Sequence, residues 1–413
     1  MLSDLGKTLD LAREDRLLLD ETCRLTDRLA DSVVDNGFAR HFVPERWNGG
    51  AGTFTALLDA VSELAETCAS TAWCAALYAA HGRLAGYLPE AGQREIWCEG
   101  PDVRVAASVV PPQGSAVRTD GGWRLTGRWA TASGVDQAEW MLLASWAALD
   151  DDPAGGTREH RIFAVRRQEM KVLHTWRPVG LRGTGSNTVE GDVLVPDHLT
   201  FTLGDLARVQ PHAARCHAVP FALVASLVFA APVLGAAEGA LRTWWETQIR
   251  RARPDGGTAV QSLVLSRASA HIQAARLLLE RVAQRGDHAP VTPVLVAENQ
   301  RDVAVAVELC GTAVDELFRT AGLRALEEDD ALQRHWRDIT AARTHGTLNF
   351  GSAAAGYASA LLAARAGEET RWPAVPPGGG RRGTGARPPE RRVDQAPSAS
   401  EPVRATSGAD CRK

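Results

Sequence analysis

Residues 121–140 have the sequence GGWRLTGRWATASGVDQAEW, in which apolar and polar side chains alternate and glycines interrupt the run. Alternation with a period of two is typical of a strand with one buried face, and the glycines mark turns. Similar short runs begin at Val103 and continue to about Leu203, separated by Gly, Pro and Asp. This pattern predicts a central antiparallel β domain.

The sequence on both sides of this region has a helical period instead. Segments such as FTALLDAVSELAETCAS before it, and VLVAENQRDVAVAVELCGTAVDELFRTAG after it, are rich in Ala, Leu and Val. We therefore expect a mostly α protein with an N-terminal helical domain (1–101), the β domain (102–205) and a C-terminal bundle of four or five helices (206–366). Residues 367–413 are rich in Pro, Gly, Arg and Ser, and this composition predicts a disordered tail.

Composition and charge exclude several classes of function. The formal net charge of −4 provides no basic field that would attract nucleic acid. The longest apolar run, residues 219–237, contains Pro220 and Pro232 and favours a buried helix over a membrane span. The N-terminus is charged and lacks the apolar segment and cleavage site of a secretory signal. We therefore expect a cytoplasmic protein that binds neither nucleic acid nor a membrane.

The cysteines are scattered along the chain and include no CxxC pair. Their spacing does not match a zinc site or a disulfide framework. We expect reduced, buried thiols and no metal site. The seven positions are Cys23, Cys68, Cys74, Cys98, Cys216, Cys310 and Cys411.

Near the end of the bundle, residues 332–350 have the sequence LQRHWRDITAARTHGTLNF, which predicts one continuous helix. One face would carry apolar side chains, namely Leu332, Trp336, Ile339 and Phe350. A second stripe would carry Asp338 and His345, which are seven residues apart and so point the same way on a helix. By itself, a lone histidine of this kind is a structural residue on a partly wet face.

Several stretches together resemble the acyl-CoA dehydrogenase superfamily, and within it the flavin-dependent monooxygenases of two-component systems. The likeness covers roughly residues 15–365 and is similar to the actinorhodin-type phenol hydroxylases of aromatic polyketide pathways. It rests on GFARHFVPERWNGG (37–50), ASTAWCAALYAAHGRLAGYLP (69–89), GGWRLTGRWATASGVDQAEW (121–140), TWRPVGLRGTGSNTVEGDVLVP (175–196) and LQRHWRDITAARTHG (332–346). The resemblance implies an acyl-CoA dehydrogenase-like fold with a helical domain, a β domain and a helical bundle.

The superfamily divides on one chemical point. Its dehydrogenases use a carboxylate base, and in many of them a glutamate precedes a glycine after an Arg-Asp pair. Here that pair is Arg337 and Asp338, the residue before Gly346 is His345, and no glutamate lies between Asp338 and Phe350. A monooxygenase of the family uses a histidine in this place, where an imidazole suits proton exchange with a phenol or peroxide. The resemblance therefore implies a catalytic role for His345.

Further site residues follow from the resemblance. It implies that His81 contacts or deprotonates a phenol, and which of His81 and His345 is the base stays open. It implies that Ser133 hydrogen-bonds flavin N5. Trp129 would form a wall of the flavin pocket, although an aromatic residue in a strand also suits a core. Thr131 would lie at the flavin edge, where relatives often have phenylalanine.

Two further stretches of sequence offer weaker candidates. GLRGTGSNT (180–188) is neither a P-loop nor a dinucleotide fingerprint. It is expected to flank substrate or flavin, with Arg182 and Ser186 near the pocket, or to be a structural turn. Arg250 or Arg251 falls near the family arginine that reaches a neighbouring subunit's flavin phosphate, or lies on a solvated helix face.

The chain contains no strand-GxGxxG-helix unit for NAD(P)H. The resemblance implies that reduced FMN or FAD comes from a separate reductase, that O2 adds to it as a C4a-hydroperoxyflavin, and that the acceptor is a phenolic aromatic compound. It also implies a homotetramer. The alternatives are a flavin-dependent N-oxygenase of an amine or amino sugar, an acyl-CoA dehydrogenase, and a helical scaffold protein without flavin.

Overall fold

The computed structural model describes Leu2 and residues 4–149, 157–207, 213–251 and 259–366. The helices are α1 (Gly6–Thr22), α2 (Asp27–Asp35), α3 (Phe54–Ala65), α4 (Ala69–Ala85), α5 (Glu90–Trp97), α6 (Arg215–Ala218), α7 (Phe221–Val224), α8 (Leu227–Arg251), α9 (Ala259–His288), α10 (Pro293–Thr320), α11 (Ala331–Ala342) and α12 (Phe350–Arg365). The strands are β1 (Val105–Ser108), β2 (Ser115–Thr119), β3 (Gly122–Ala132), β4 (Trp140–Ala148), β5 (Arg158–Arg166), β6 (Lys171–Leu173), β7 (Asn187–Pro196) and β8 (Thr200–Thr202).

The mostly α fold with a central sheet is confirmed by this order of elements. The proposed domain bounds at residues 101, 205 and 366 stay predictions. The tail predicted to be disordered, residues 367–413, lies outside the described residues.

Polar residues set the starts of several helices. The side chain of Thr53 accepts a hydrogen bond from the backbone N–H of Ala56 at 3.2 Å and caps α3. Asp330 caps α11 in the same way through the N–H of Leu332, at 2.8 Å. Each cap satisfies a backbone donor that has no partner inside the helix.

The sheet is mixed, which corrects the prediction of an antiparallel β domain. Its strand order is β6-β7-β3-β2-β4-β5-β8, and β1 pairs with β4 outside this path. Most neighbours are antiparallel, but β1 and β2 both run parallel to β4. Alternation of apolar residues reports which face of a strand is buried and not the direction of its partner, so the sequence could not reveal these pairings.

The helices before and after the sheet share one hydrophobic core. This core joins residues of α1 to α4 with residues of α8 to α11, and a second core surrounds the sheet. The apolar stretch Phe221–Ile249 is long and apolar enough to cross a membrane, but 72% of its most apolar window is buried inside the fold. The stretch therefore belongs to the core of the fold, as predicted from the prolines that interrupt its apolar run.

The described cysteines are free thiols. Cys98 is exposed, contrary to expectation, and Cys411 lies outside the described residues. The buried thiols are Cys23, Cys68, Cys74, Cys216 and Cys310.

The single helix predicted over residues 332–350 is wrong at its C-terminal end. Helix α11 ends at Ala342, and the hydroxyl of Thr344 donates to the carbonyl of Ala341 at 2.7 Å. The ring of His345 accepts from the N–H of Thr347, and this residue begins a short 3-10 turn before α12. These side-chain bonds compete with helix continuation. Consequently Asp338 and His345 do not share a helical face.

The predicted apolar face is correct only within α11 itself. Leu332 and Ile339 are buried, and Trp336 packs against the same core. Phe350 is 39% exposed because the chain has turned before α12 begins.

Gly180 lies against the backbone of α11, and its substitution tests this contact. A Cβ atom at Gly180 would lie 2.0 Å from the carbonyl oxygen of Arg337. Because neither backbone can move freely, we expect Gly180→Ala to lower the free energy of unfolding by roughly 3 kcal/mol. Gly356→Ala is the matched control, since a Cβ there meets nothing within 4 Å. Urea unfolding of both variants measures the difference, and equal stability would contradict the packing described.

Candidate active site

Ser133 follows an irregularity at the end of β3. The pairing of β3 with β7 shifts register between Trp129 and Ala132, and Thr131 has a φ of 62°. Such a bulge re-aims the chain that follows it. Ser133 is consequently turned toward helix α4 and is only 7% exposed. Its hydroxyl accepts from the indole N–H of Trp73 at 3.2 Å.

Helix α4 supplies side chains to this region from one end to the other. Trp73 contacts Ser133, and the thiol of Cys74 donates to the carbonyl of Thr184 at 3.6 Å. Further along, the hydroxyl of Tyr78 donates to the carbonyl of Gly134 at 2.9 Å. Side-chain hydrogen bonds therefore hold α4 against two loops, the one that contains Gly134 and the one that contains Thr184.

His81 is held at the other end of the same helix. Its Nδ1 lies 2.8 Å from the carbonyl oxygen of Val105, the first residue of β1. A carbonyl only accepts, so Nδ1 carries the proton and Nε2 presents a lone pair. Burial lowers the pKa of His81 to about 4, against a smaller opposing effect of the bond to Val105. His81 is thus a neutral imidazole with a fixed tautomer at neutral pH.

A row of hydroxyl groups extends from Ser133 into the loop before β7. The hydroxyl oxygens of Ser133 and Ser186 are 2.7 Å apart, and those of Ser186 and Thr184 are also 2.7 Å apart. The row ends where the hydroxyl of Thr184 donates to the carbonyl of Leu181 at 2.8 Å. Ser133 and Ser186, which are separated by 53 residues in the sequence, therefore meet directly.

The ring of His345 completes an aromatic cluster beside Trp73. It stacks on Phe229 of α8 with ring centroids 4.0 Å apart, and it meets Trp73 edge-on at 5.9 Å. Burial lowers the pKa of His345 to about 4, so this imidazole is also neutral at neutral pH. Its Nδ1 lies 2.9 Å from the hydroxyl oxygen of Thr347 and 3.4 Å from the backbone nitrogen of the same residue. The tautomer in which Nδ1 accepts from that N–H carries its proton on Nε2.

Helix α11 clamps the loop that carries Ser186. The carboxylate of Asp338 accepts from the N–H of Leu181 at 2.6 Å, and Arg337 donates to the carbonyl of Val179 at 2.7 Å. Burial raises the pKa of Asp338 to about 6, opposed by that bond to Leu181. Asp338 therefore positions the loop.

The face of α11 that carries Asp338 packs closely against neighbouring elements of the fold. Asp338 and Ala342 line a crevice, together with Trp73 and Pro232, that is too narrow for a water molecule. Ala342 is buried and packs in the helical core. Ala342 therefore allows α11 to pack closely in the helical core.

The structure brings some of the predicted site residues together. Ser133 and Ser186 are in contact, Trp73 joins Ser133 to His345, and His81 lies on the helix that carries Trp73. At about 1.5 Å of rise per residue, His81 lies roughly 12 Å from Trp73 along the helix axis. A planar ligand of several rings has this length.

Other predicted residues have different surroundings. Trp129 is fully buried in the sheet core, where its indole N–H donates to the carbonyl of Ala144 at 2.9 Å, so it is not a pocket wall. Thr131 is exposed, and its hydroxyl donates to the carbonyl of Ala130. Arg182 donates to the carbonyls of Asp20 in α1 and Pro178, so its guanidinium supports the loop and does not line the site.

Arg250 and Arg251 are the last residues of α8, and their side chains lie outside the described residues.

The sequence did not single out Trp73, Phe229 and Thr184. Trp73 lies in the same stretch as His81 and could have been found from that spacing, because residues eight apart on a helix lie on neighbouring faces. Thr184 lies two residues before Ser186 in the loop 180–188 that the sequence singled out, and its hydroxyl was not selected there. Phe229 comes from a distant part of the chain, and only the fold reveals its contact with His345.

The chain is similar to known proteins over most of its length. The family described as "Acyl-CoA dehydrogenase, C-terminal domain" matches residues 227–350. The oxygenase subunit HsaA of a flavin-dependent monooxygenase from Rhodococcus jostii (strain RHA1) is 30% identical, over 83% of this chain and 92% of that protein. The oxygenase component of an FADH(2)-dependent resorcinol hydroxylase from Rhizobium sp. (strain MTP-10005) is 30% identical over 83% and 88%.

A solved structure has the same fold. XiaF from Streptomyces sp., in complex with FADH2 and glycerol, superposes with a TM-score of 0.82 at 25% sequence identity, covering 87% of this chain and 93% of XiaF.

Proposed function

Because the chain belongs to the oxygenase subunits of two-component flavin-dependent monooxygenases, within the acyl-CoA dehydrogenase superfamily, we propose that it hydroxylates a phenolic, polyketide-type aromatic substrate with reduced FMN or FAD and O2. An oxygenase subunit implies a separate reductase component that supplies the reduced flavin. The observation that carries the proposal is the arrangement of Ser133, His81 and His345 around helix α4.

The donors and acceptors of this arrangement fit a flavin. Ser133 retains a lone pair that receives no hydrogen bond from the described residues, in a position where the family places flavin N5. Reduced flavin bound here would supply the two electrons that let one atom of O2 enter the substrate while the other leaves as water. Ser133 would hold N5, and the rings of Trp73, Phe229 and His345 would form an apolar wall that excludes water.

His81 is the base in this proposal. Its Nδ1 proton is committed to Val105, so Nε2 is free to take the proton of a phenol. Removing that proton makes the ring a stronger nucleophile toward an electrophilic oxygen. The low pKa of His81 belongs to the site without substrate, and a phenolate beside the imidazole raises it, because opposite charges stabilise each other.

His345 has the complementary role. With Nδ1 accepting from Thr347, its Nε2 presents an N–H to the site. A neutral imidazole of this tautomer donates a hydrogen bond and cannot take a proton at Nε2. The two histidines are therefore assigned as one acceptor, His81, and one donor, His345.

We further propose a homotetramer in the cytoplasm. Apolar side chains of α9 and α12 are exposed in the single chain, as at interfaces between subunits. The free thiols suit a reducing compartment. The exposed side chains include Leu263, Leu277, Leu361 and Leu362.

The proposal is tested by supplying reduced FMN or FAD with O2 and a panel of phenols, including fused-ring phenols. We expect products that have gained one oxygen atom, identified by mass spectrometry, with both flavins compared. An amine and an amino sugar in the same panel test the N-oxygenase alternative, and an acyl thioester tests the dehydrogenase. Oxidation of only one of these, with no phenol hydroxylated, would contradict the proposal.

A further inference from the structure

The row of hydroxyls beside Ser133 has a defined direction. The oxygen of Thr184 lies 2.8 Å from the carbonyl oxygen of Leu181. Because a carbonyl carries no hydrogen, Thr184 must donate there, or two lone pairs would face each other at that distance. The one hydrogen of Thr184 is thereby committed, and its oxygen accepts from the neighbouring hydroxyl.

That direction passes along the row to Ser133. Ser186, 2.7 Å from Thr184, donates to it and must then accept from Ser133, which is also 2.7 Å away. Ser133 therefore uses its only hydrogen on Ser186. The indole N–H of Trp73 occupies one lone pair of Ser133. The group that Ser133 can offer to a ligand is its second lone pair.

We infer that Thr184 and Ser186 are positioning residues that hold Ser133 as a hydrogen-bond acceptor toward the flavin, and thereby favour binding of reduced over oxidised flavin. The inference rests on the proposed function, in which Ser133 meets flavin N5. Reduced flavin carries a hydrogen on N5 and can donate to Ser133. Oxidised flavin has a bare lone pair on N5, which would face the lone pair of Ser133.

The loop is built to keep this direction. Leu181, whose carbonyl ends the row, has its own N–H bound by the buried carboxylate of Asp338 at 2.6 Å. The carbonyl of Thr184 is held by the N–H of Gly134 at 2.8 Å, next to Ser133 in the chain. The Thr184 end of the row is therefore fixed to the backbone. With the direction reversed, the hydroxyl oxygen of Thr184 would face the carbonyl oxygen of Leu181 with no hydrogen between them.

The test is the ratio of the dissociation constants for oxidised and reduced FMN, measured anaerobically by absorbance and fluorescence titration and repeated with FAD. Thr184→Val keeps the shape of the side chain but removes the acceptor for Ser186, so Ser133 is free to donate. We expect the ratio to fall about tenfold, the usual contribution of one hydrogen bond. Thr184→Ser, which keeps the hydroxyl, should retain the wild-type ratio.

A second variant guards against a folding defect in Thr184→Val. Ser186→Ala removes the acceptor of the Ser133 hydrogen, and its ratio should fall similarly. In a Ser133→Ala background neither change should alter the ratio further. If the folded variants Thr184→Val and Ser186→Ala keep the wild-type ratio of dissociation constants, the inference is wrong while the proposed function stands. The same conclusion follows if the ratio falls as far in Thr184→Ser as in Thr184→Val. A wild-type chain that binds neither flavin in either redox state would overturn the proposed function as well.

Discussion

His81→Ala is expected to lower the rate of phenol hydroxylation by about 10²- to 10⁴-fold, the range typical of losing a general base. The fold should persist, because His81 makes one hydrogen bond to Val105 and its removal leaves α4 held by Tyr78 and Cys74. Reduced flavin should bind as before. Single-turnover hydroxylation, with the product quantified by chromatography, measures the change.

The acidity of the substrate separates a base from a structural residue. A phenol that is already ionised at the assay pH needs no base, so the loss in His81→Ala should shrink to within about tenfold with such a substrate. His160→Ala is the matched control, since this histidine also has one ring nitrogen near a backbone carbonyl, its Nε2 at 3.0 Å from the oxygen of Val109. An equal loss with acidic and ordinary phenols would contradict the assignment of His81.

The pH dependence of the wild-type rate follows from the same residue. Burial lowers the pKa of His81 to about 4, so its neutral, proton-accepting form is present throughout the neutral range. The contribution of His81 is therefore complete above that pKa and is lost as the pH falls through it.

His345→Ala is expected to reduce hydroxylation by about 10²-fold, because the proposed N–H donor at Nε2 and the ring that stacks on Phe229 are both lost. Hydrogen peroxide should rise as hydroxylated product falls, since O2 consumption continues without transfer. This loss should not shrink with acidic phenols, unlike that of His81→Ala. Fold and oligomeric state should be unchanged, because His345 lies in a short turn and is only half buried.

The ring and the N–H of His345 can be separated by substitution. His345→Phe keeps an aromatic ring against Phe229 but removes the donor. If the N–H donor matters, His345→Phe should produce as much hydrogen peroxide as His345→Ala. A wild-type yield of hydroxylated product in His345→Phe would instead show that the ring acts only by packing against Phe229. Burial lowers the pKa of His345 to about 4, so its form does not change at neutral pH. Wild-type turnover by His345→Ala between about pH 6 and 8 would contradict the role assigned here.

The order of elements was predictable because hydrophobic period depends only on neighbouring residues. The parallel pairings of β1 and β2 with β4 were not, since period gives no strand direction. The C-terminal end of α11 was missed because Thr344 forms a local side-chain bond that competes with the helix.

The site was partly predictable for similar reasons. Ser133 and Ser186 were each selected from short motifs, but their contact across the fold needed the structure. Trp129 was assigned to the flavin pocket from the family resemblance. The register of β3 shifts between Trp129 and Ala132, and Trp129 lies on the side of the shift that is inside the sheet core. Trp73 and Thr184 lie in stretches that carry the family resemblance but were not selected there, and they determine what Ser133 can offer a ligand.

The most direct test of the central claim is transfer of an oxygen atom from O2 to a phenol. The purified chain, mixed with anaerobically reduced flavin, a phenol and oxygen-18 gas, is predicted to give a product that carries one heavy oxygen atom. The reaction should need the chain but no reductase once the flavin is reduced. A product labelled from heavy water in place of the gas, or peroxide formation with no hydroxylated phenol, would contradict the account.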